Sequence, residues 1–133
     1  AKASDYRPDS YPANCVVYTG THDNDTTVGW FRSEPGKDST RTREEIERDQ
    51  RSILGYLKSD GSEIHWDLIA LAWNSNANTA VVPLQDVMGL GSEARMNVPG
   101  VESGNWRWRF TWDMLAPEMR TRLRTLTERA GRC

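Results

Sequence analysis

The chain has 133 residues, a length that suits one domain. Seventeen Lys and Arg face nineteen Asp and Glu, so the formal charge of −2 offers no field for nucleic acid or an anionic membrane. No apolar run approaches the roughly 20 residues of a membrane span, and the polar opening AKASDYRPDS is not a signal peptide. Two cysteines, Cys15 and Cys133, make no disulfide framework, and a reducing cytoplasm is the expected location.

Residues 1–13, with Pro8 and Pro12, read as an irregular entry segment. Cys15-Val16-Val17-Tyr18 follows, β-branched and aromatic, and predicts a buried strand over about residues 14–19. Thr19, Gly20 and Thr21 break it. Then come four polar residues, His22, Asp23, Asn24 and Asp25, with Asn24 and Asp25 expected to shape the turn through backbone N–H groups. Thr26 and Thr27 can cap a short turn carrying Val28, Trp30 and Phe31. Ser33 to Thr40 contains Pro35-Gly36 and reads as a surface loop.

A helix is predicted from Thr42 to Lys58, with Ile46, Ile53, Leu54 and Leu57 as its apolar stripe. Glu44 with Arg48 and Glu47 with Arg51 can pair at i,i+4 on its solvated face. A second helix is predicted from Glu63 to Trp73, capped by Ser62 and apolar on more than one face, with His65 as a structural residue. Thr79-Ala80-Val81-Val82-Pro83-Leu84 reads as a second buried strand, ending on Gln85 and Asp86. Glu93 and Arg95 are expected to pair. Trp106, Trp108, Phe110 and Trp112 alternate with polar residues, which predicts an extended stretch used for packing. Pro117 opens a last helix over 117–130, with Met119, Leu123, Leu126 and Ala130 as its stripe, Gly131 as its stop, and Arg120, Arg122, Arg124 and Arg129 on a solvated face.

Two buried strands joined by a helical crossover should pair in parallel. Two parallel strands leave both edges open, so the pattern suggests a piece of a larger β/α fold. The start at Ala1 fits that reading. Both strands end on polar groups, as strands do where β/α folds build active sites.

Several chemistries are open to these groups on residue type alone. A retaining glycosidase needs two carboxylates about 5 Å apart, and Asp23 could pair with Asp86 or Glu93. A metal-dependent phosphoesterase could use His22, Asp23 and Asp25, but such sites usually need more histidines, and only His65 remains, on a different element. A carbohydrate-binding module without catalysis could use the tryptophans as platforms.

Three stretches carry a resemblance. Tyr18 to Thr26 reads YTGTHDNDT, Val82 to Gly100 reads VPLQDVMGLGSEARMNVPG, and Gly104 to Arg109 reads GNWRWR. In this order they resemble signatures of the 4-α-glucanotransferases called amylomaltases, relatives of the α-amylases. The resemblance covers essentially the whole chain and about the last quarter of a family member. It implies an α/β fold, the C-terminal part of a (β/α)8 TIM-type barrel. Residues 1–133 would then be one segment of the catalytic barrel with no separate second domain, supplying the last two strands with their helices: Cys15 to Thr19 as the seventh strand and Ala80 to Leu84 as the eighth.

The resemblance also implies transfer of α-1,4-glucan segments between maltooligosaccharides by retaining double displacement. It argues against Asp86 or Glu93 as a partner carboxylate, because the family's nucleophile and acid/base come from earlier strands. Asp23 matches the third carboxylate, which stabilises the transition state, and His22 the histidine beside it. Asn97 resembles a sugar-contacting asparagine. Gln85 and Asp86 are candidate substrate contacts, with structural roles weighed equally. The implied partners are maltooligosaccharides, α-1,4-glucans and the N-terminal part of the enzyme. No cofactor, metal, nucleic acid or membrane is implied. The 133 residues alone are expected to be inactive, and a carbohydrate-binding fragment is the alternative.

Overall fold

The computed structural model describes residues 7–37 and 39–133. Residues 1–6 of the expected entry segment and position 38 of the expected surface loop lie outside the described residues. The order is β1 (Val16–Tyr18), α1 (Thr27–Phe31), α2 (Arg43–Leu57), α3 (Ile64–Trp73), β2 (Thr79–Val81), α4 (Leu84–Val87) and α5 (Pro117–Arg129). Short 3-10 turns lie at Pro8–Ser10, Ser92–Ala94 and Trp112–Met114.

β1 and β2 pair in parallel, with Val17 opposite Ala80. The Thr19 N–H donates to the Val81 carbonyl at 3.3 Å and carries the ladder one residue further. Alternation along β1 splits the sheet into two faces. Val17 points into the core, while Val16, Tyr18 and Val81 lie exposed on the other side.

The core gathers Val17, Trp66, Ile69, Ala72, Trp73, Ala77 and Val87. The whole expected stripe of α5 (Met119, Leu123, Leu126 and Ala130) packs against it. Polar ties fix the same docking. The Trp73 indole N–H donates to Thr127 Oγ1 at 2.9 Å. Arg132 donates to the carbonyls of Trp73 and Ser75, at and just beyond the end of α3, where helical carbonyls have no intrahelical partner.

α2 starts as expected, and Thr42 closes a full capping box with Glu45. Its flank departs from expectation. Among the described residues neither Glu44–Arg48 nor Glu47–Arg51 forms an ion pair. Arg41 instead reaches Asp49 at 2.7 Å and also donates to the Trp30 carbonyl.

Four further expectations are corrected. β2 stops at Val81 and Leu84 already opens α4, because Pro83 sits at the helix cap and its carbonyl accepts from Val87. Ser62 does not cap α3. Glu63 holds the cap position, and the Ser62 N–H is taken by Asp60 Oδ1. The 106–112 stretch joins no sheet among the described residues. Trp106 takes a left-handed φ of 61°, and a 3-10 turn begins at Trp112. Arg122 is more than a solvated charge: it grips both oxygens of Glu63 and lies 4.8 Å from the Trp66 ring centre.

Candidate active site

The site begins where β1 ends. Thr19 and Thr27 bracket the loop carrying His22, Asp23, Asn24 and Asp25, and one carboxylate ties both brackets. Asp86, from α4 behind β2, accepts the Thr19 hydroxyl at 2.7 Å, the Thr27 N–H at 2.8 Å and the Thr27 hydroxyl at 2.9 Å. Asp86 is only 2% exposed, so these three bonds replace the water that a buried carboxylate would otherwise lack. Strand order thus becomes loop geometry: the second parallel strand delivers the group that closes the loop of the first.

Inside the loop each polar residue has a distinct task. Asn24 Oδ1 accepts the Thr21 N–H and hydroxyl, the turn-shaping role expected for it. Asp25 Oδ1 accepts the Thr26 N–H, and its Oδ2 takes the Ser92 hydroxyl at 2.7 Å. Thr26 caps α1 by accepting from the Gly29 N–H. Gly29 is required there by space. A Cβ on it would lie 2.5 Å from Asp25 Oδ1 and from Ser92 Oγ.

The tip of the loop meets the chain that follows α4. The Asn97 side-chain amide donates to Asp23 Oδ1 at 2.7 Å, and the Asn97 N–H donates to the His22 carbonyl at 3.1 Å. His22 Nε2 stands 3.4 Å from the same Asp23 oxygen. Arg95 donates to the Asp23 carbonyl at 2.6 Å and to the Asn97 carbonyl at 2.9 Å. The Trp106 ring lies 5.2 Å from the His22 ring, and the Trp106 main-chain N–H donates to the Met96 carbonyl. His22 and Asp23 keep side chains 57% and 50% exposed. Asn97 and His22 both meet the Asp23 carboxylate at Oδ1, so the group is oriented yet half-exposed to a ligand.

The structure therefore brings His22, Asp23 and Asn97 into one hydrogen-bonded cluster. Gln85 is buried nearby and donates to the Ala94 carbonyl at 3.2 Å. Gln85 and Asp86 line a small hollow with His22, Asn24 and Arg95. The expected Glu93–Arg95 pair is not formed. Glu93 turns back to accept the Gly91 N–H, a shorter reach, and leaves Arg95 to the two carbonyls. Arg95 is the residue that sequence reasoning missed at this site. Its contact with Asp23 spans 72 positions, and no local spacing announces it. His65 packs over Gly89, half-buried, outside the cluster, and burial pushes its imidazole below the ordinary value. Among the described residues no three His, Cys, Asp or Glu side chains gather where they could hold a metal ion. None of the described helices is long and apolar enough to cross a membrane.

Comparison with known proteins gives consistent findings. The model of the family described as 4-alpha-glucanotransferase, glycoside hydrolase family 77, matches residues 1–115. The 4-alpha-glucanotransferase of Synechocystis is 49% identical over 120 residues, covering 90% of this chain and 22% of that protein. The Thermus thermophilus 4-alpha-glucanotransferase is 44% identical over 129 residues, covering 96% of this chain and 25% of that protein. Among solved structures, the amylomaltase from Streptococcus agalactiae in complex with acarbose superposes with a TM-score of 0.76 at 25% identity, over 94% of this chain and 23% of that one. The chain thus spans about a quarter of the length of these relatives. With the α/β fold, the parallel pair and the motif-bearing loops in agreement, the chain belongs to the 4-alpha-glucanotransferase family.

Proposed function

We propose that these 133 residues form one segment of the catalytic barrel of a 4-α-glucanotransferase, with β1 and β2 as its last two strands. Two features support this reading. The pair is parallel and carries the candidate site at its carboxyl end. Its far face, with Val16, Tyr18 and Val81, lies bare, as an inward barrel face would when the other strands are removed.

The reaction we infer is retaining transfer between maltooligosaccharides or longer α-1,4-glucans, in the cytoplasm. A carboxylate attacks the anomeric carbon and a second carboxylic acid protonates the departing oxygen. An acceptor sugar hydroxyl then releases the glycosyl-enzyme. Asp23 takes neither covalent role. It holds sugar hydroxyls at the cleavage position, and its negative charge strengthens those bonds as positive charge develops on the ring. His22 and Asn97 share that task, and Gln85 and Asp86 line the adjoining hollow.

The observation that carries the proposal is the half-exposed Asp23, fixed by Asn97 and His22 at the carboxyl end of β1. The other local carboxylates are otherwise engaged. Asp25 holds Thr26 and Ser92, Asp86 is buried under Thr19 and Thr27, and Glu93 takes Gly91. The nucleophile and acid/base are accordingly assigned to the part of the family's length that this chain does not span, and that N-terminal part is its partner. The test is incubation of the full-length protein, and separately of these 133 residues, with maltotriose. The full-length protein should yield glucose and longer maltodextrins, and the 133 residues alone should yield nothing. An inert full-length protein, or an active fragment, would refute the assignment.

A further inference from the structure

We propose that Arg95 is a positioning residue for this transfer, a brace that holds the Asp23 carboxylate and the Asn97 amide in register. The inference rests on the glucanotransferase reading of the site. The two main-chain carbonyls that Arg95 binds belong to the two residues whose side chains meet. Nη2 donates to the Asp23 carbonyl, Nε donates to the Asn97 carbonyl, and Asn97 Nδ2 donates to Asp23 Oδ1. The contacts form a closed ring: Arg95 to Asp23 backbone, Asp23 side chain to Asn97 side chain, Asn97 backbone to Arg95.

A guanidinium suits this work. Its donors sit in a rigid planar fork, so serving two carbonyls at once fixes their separation, which an ammonium on a flexible stem cannot do. Asp86 ties only the ends of the loop, at Thr19 and Thr27. The tip is held instead from the chain after α4, by Asn97 and Arg95, and Asp23 is half-exposed there. Arg95 also reaches across sequence, from the chain after α4 to the loop after β1, so it fixes one loop against the other. A carboxylate that acts through charge and geometry loses much of its effect when displaced by about 1 Å.

The experiment uses the full-length protein and the variants Arg95→Met and Arg95→Lys. Maltotriose transfer should lose about 10-fold or more in kcat for Arg95→Met, with KM within about twofold, and Arg95→Lys should fall between. In an Asp23→Asn background Arg95→Met should cost little more, because the brace acts through that carboxylate. Hydrogen exchange gives a readout independent of activity. The Asn97 amide, bonded to the His22 carbonyl, should exchange faster in Arg95→Met, while the Trp30 amide, bonded to Thr26, should not change. Full kcat in Arg95→Met, a rise in KM alone, or equal losses in both backgrounds would overturn the proposal, the second by showing direct contact with sugar. If the wild type fails on maltotriose, the glucanotransferase reading falls. The brace is then decided by exchange alone: an unchanged Asn97 amide overturns it, and a faster one supports it.

Discussion

Asn97 reaches over to Asp23 and donates to its Oδ1 at 2.7 Å, joining two loops 74 positions apart in sequence. The contact orients a carboxylate without neutralising it. Asp23→Asn keeps an oxygen that can accept from Asn97, so the fold and ground-state binding should survive. The charge is lost. On the scale of other preorganised electrostatic groups, kcat for maltooligosaccharide transfer by the full-length protein should fall about 100-fold or more, with KM little changed. His22→Ala should cost less, because it removes a side chain at the edge of the cluster, 3.4 Å from Asp23 Oδ1. Steady-state rates, with folding checked by thermal melting, provide the comparison. Near-normal kcat with a raised KM in Asp23→Asn would reduce Asp23 to a binding group.

Sequence reasoning finds the groups that local pattern dictates. Val17 and Ala80 lie in short apolar runs, and they pair in parallel as the intervening helices require. The α5 stripe docks residue by residue, since helical period alone decides which side chains share a face. Where the sequence misleads, two signals compete. Val82-Pro83-Leu84 continues an apolar run, but Pro83 has no N–H to give a ladder and is preset to start a helix. The alternating tryptophans suggest an extended stretch, but Trp106 turns left-handed, and its ring lies 5.2 Å from that of His22. The expected helix start at Thr42 agrees with the structure, which adds a capping box between Thr42 and Glu45. The site splits the same way. Tyr18 to Thr26 marks His22 and Asp23, while the ties of Asp86 and Arg95 depend on which strand lies beside which.

The loop-closing role of Asp86 gives a second expected outcome. Asp86→Ala orphans the buried Thr27 N–H, which alone costs about 1–3 kcal/mol, and it also releases the Thr19 and Thr27 hydroxyls. Asp86→Asn should cost less, since its oxygen can still accept that N–H and both hydroxyls can turn to accept from its amide. Urea unfolding of the full-length protein measures both. Kinetics of the folded Asp86→Asn variant then separate the two roles carried for this residue: a raised KM marks a substrate contact, and wild-type constants mark a loop tie. An Asp86→Ala protein as stable as wild type would contradict the structural account.

Gly29 sits where α1 passes under Asp25 and Ser92. A Cβ there meets Asp25 Oδ1 and Ser92 Oγ at 2.5 Å, well inside contact distance, and Asp25 Cγ at 2.8 Å. Gly29→Ala must push the pair apart, because neither group is the end of a long flexible chain. Overpacking of this kind costs about 1–3 kcal/mol. The damage should also reach the chemistry, since Ser92 opens the segment that leads to Arg95 and Asn97. The variant should show a lowered Tm together with reduced kcat. Ser92→Ala in the Gly29→Ala background should restore part of both by removing one of the clashing oxygens. A Gly29→Ala protein with unchanged Tm would show that the loop yields freely.

His65 sets the pH dependence expected of the segment's stability. Its ring lies over Gly89, where an added Cβ would fall 2.7 Å from Nε2, and beside the Trp66 ring at 5.7 Å. Burial disfavours the imidazolium and lowers the folded value, with Arg122 acting in the same direction. Glu63, Asp86 and Asp67 oppose that shift without overcoming it. Above the ordinary histidine value of about 6.5 the ring is neutral in both states, and its contribution to stability is fully present. As pH falls below that value the unfolded chain takes up the proton first, so stability declines until the folded ring is protonated too. Glu63 titrates in a different window. The hydrogen bond from Arg122 holds its carboxyl below the ordinary value, so its contribution is kept above the usual carboxylate range and lost only at more acid pH. The two effects can therefore be separated. His65→Gln keeps a polar side chain of similar reach and removes the titration. The fall in Tm of the full-length protein between about pH 7 and pH 5 should be shallower in this variant than in wild type, with the curves parallel above pH 7. Equal slopes in the two proteins would show that His65 carries no linked proton.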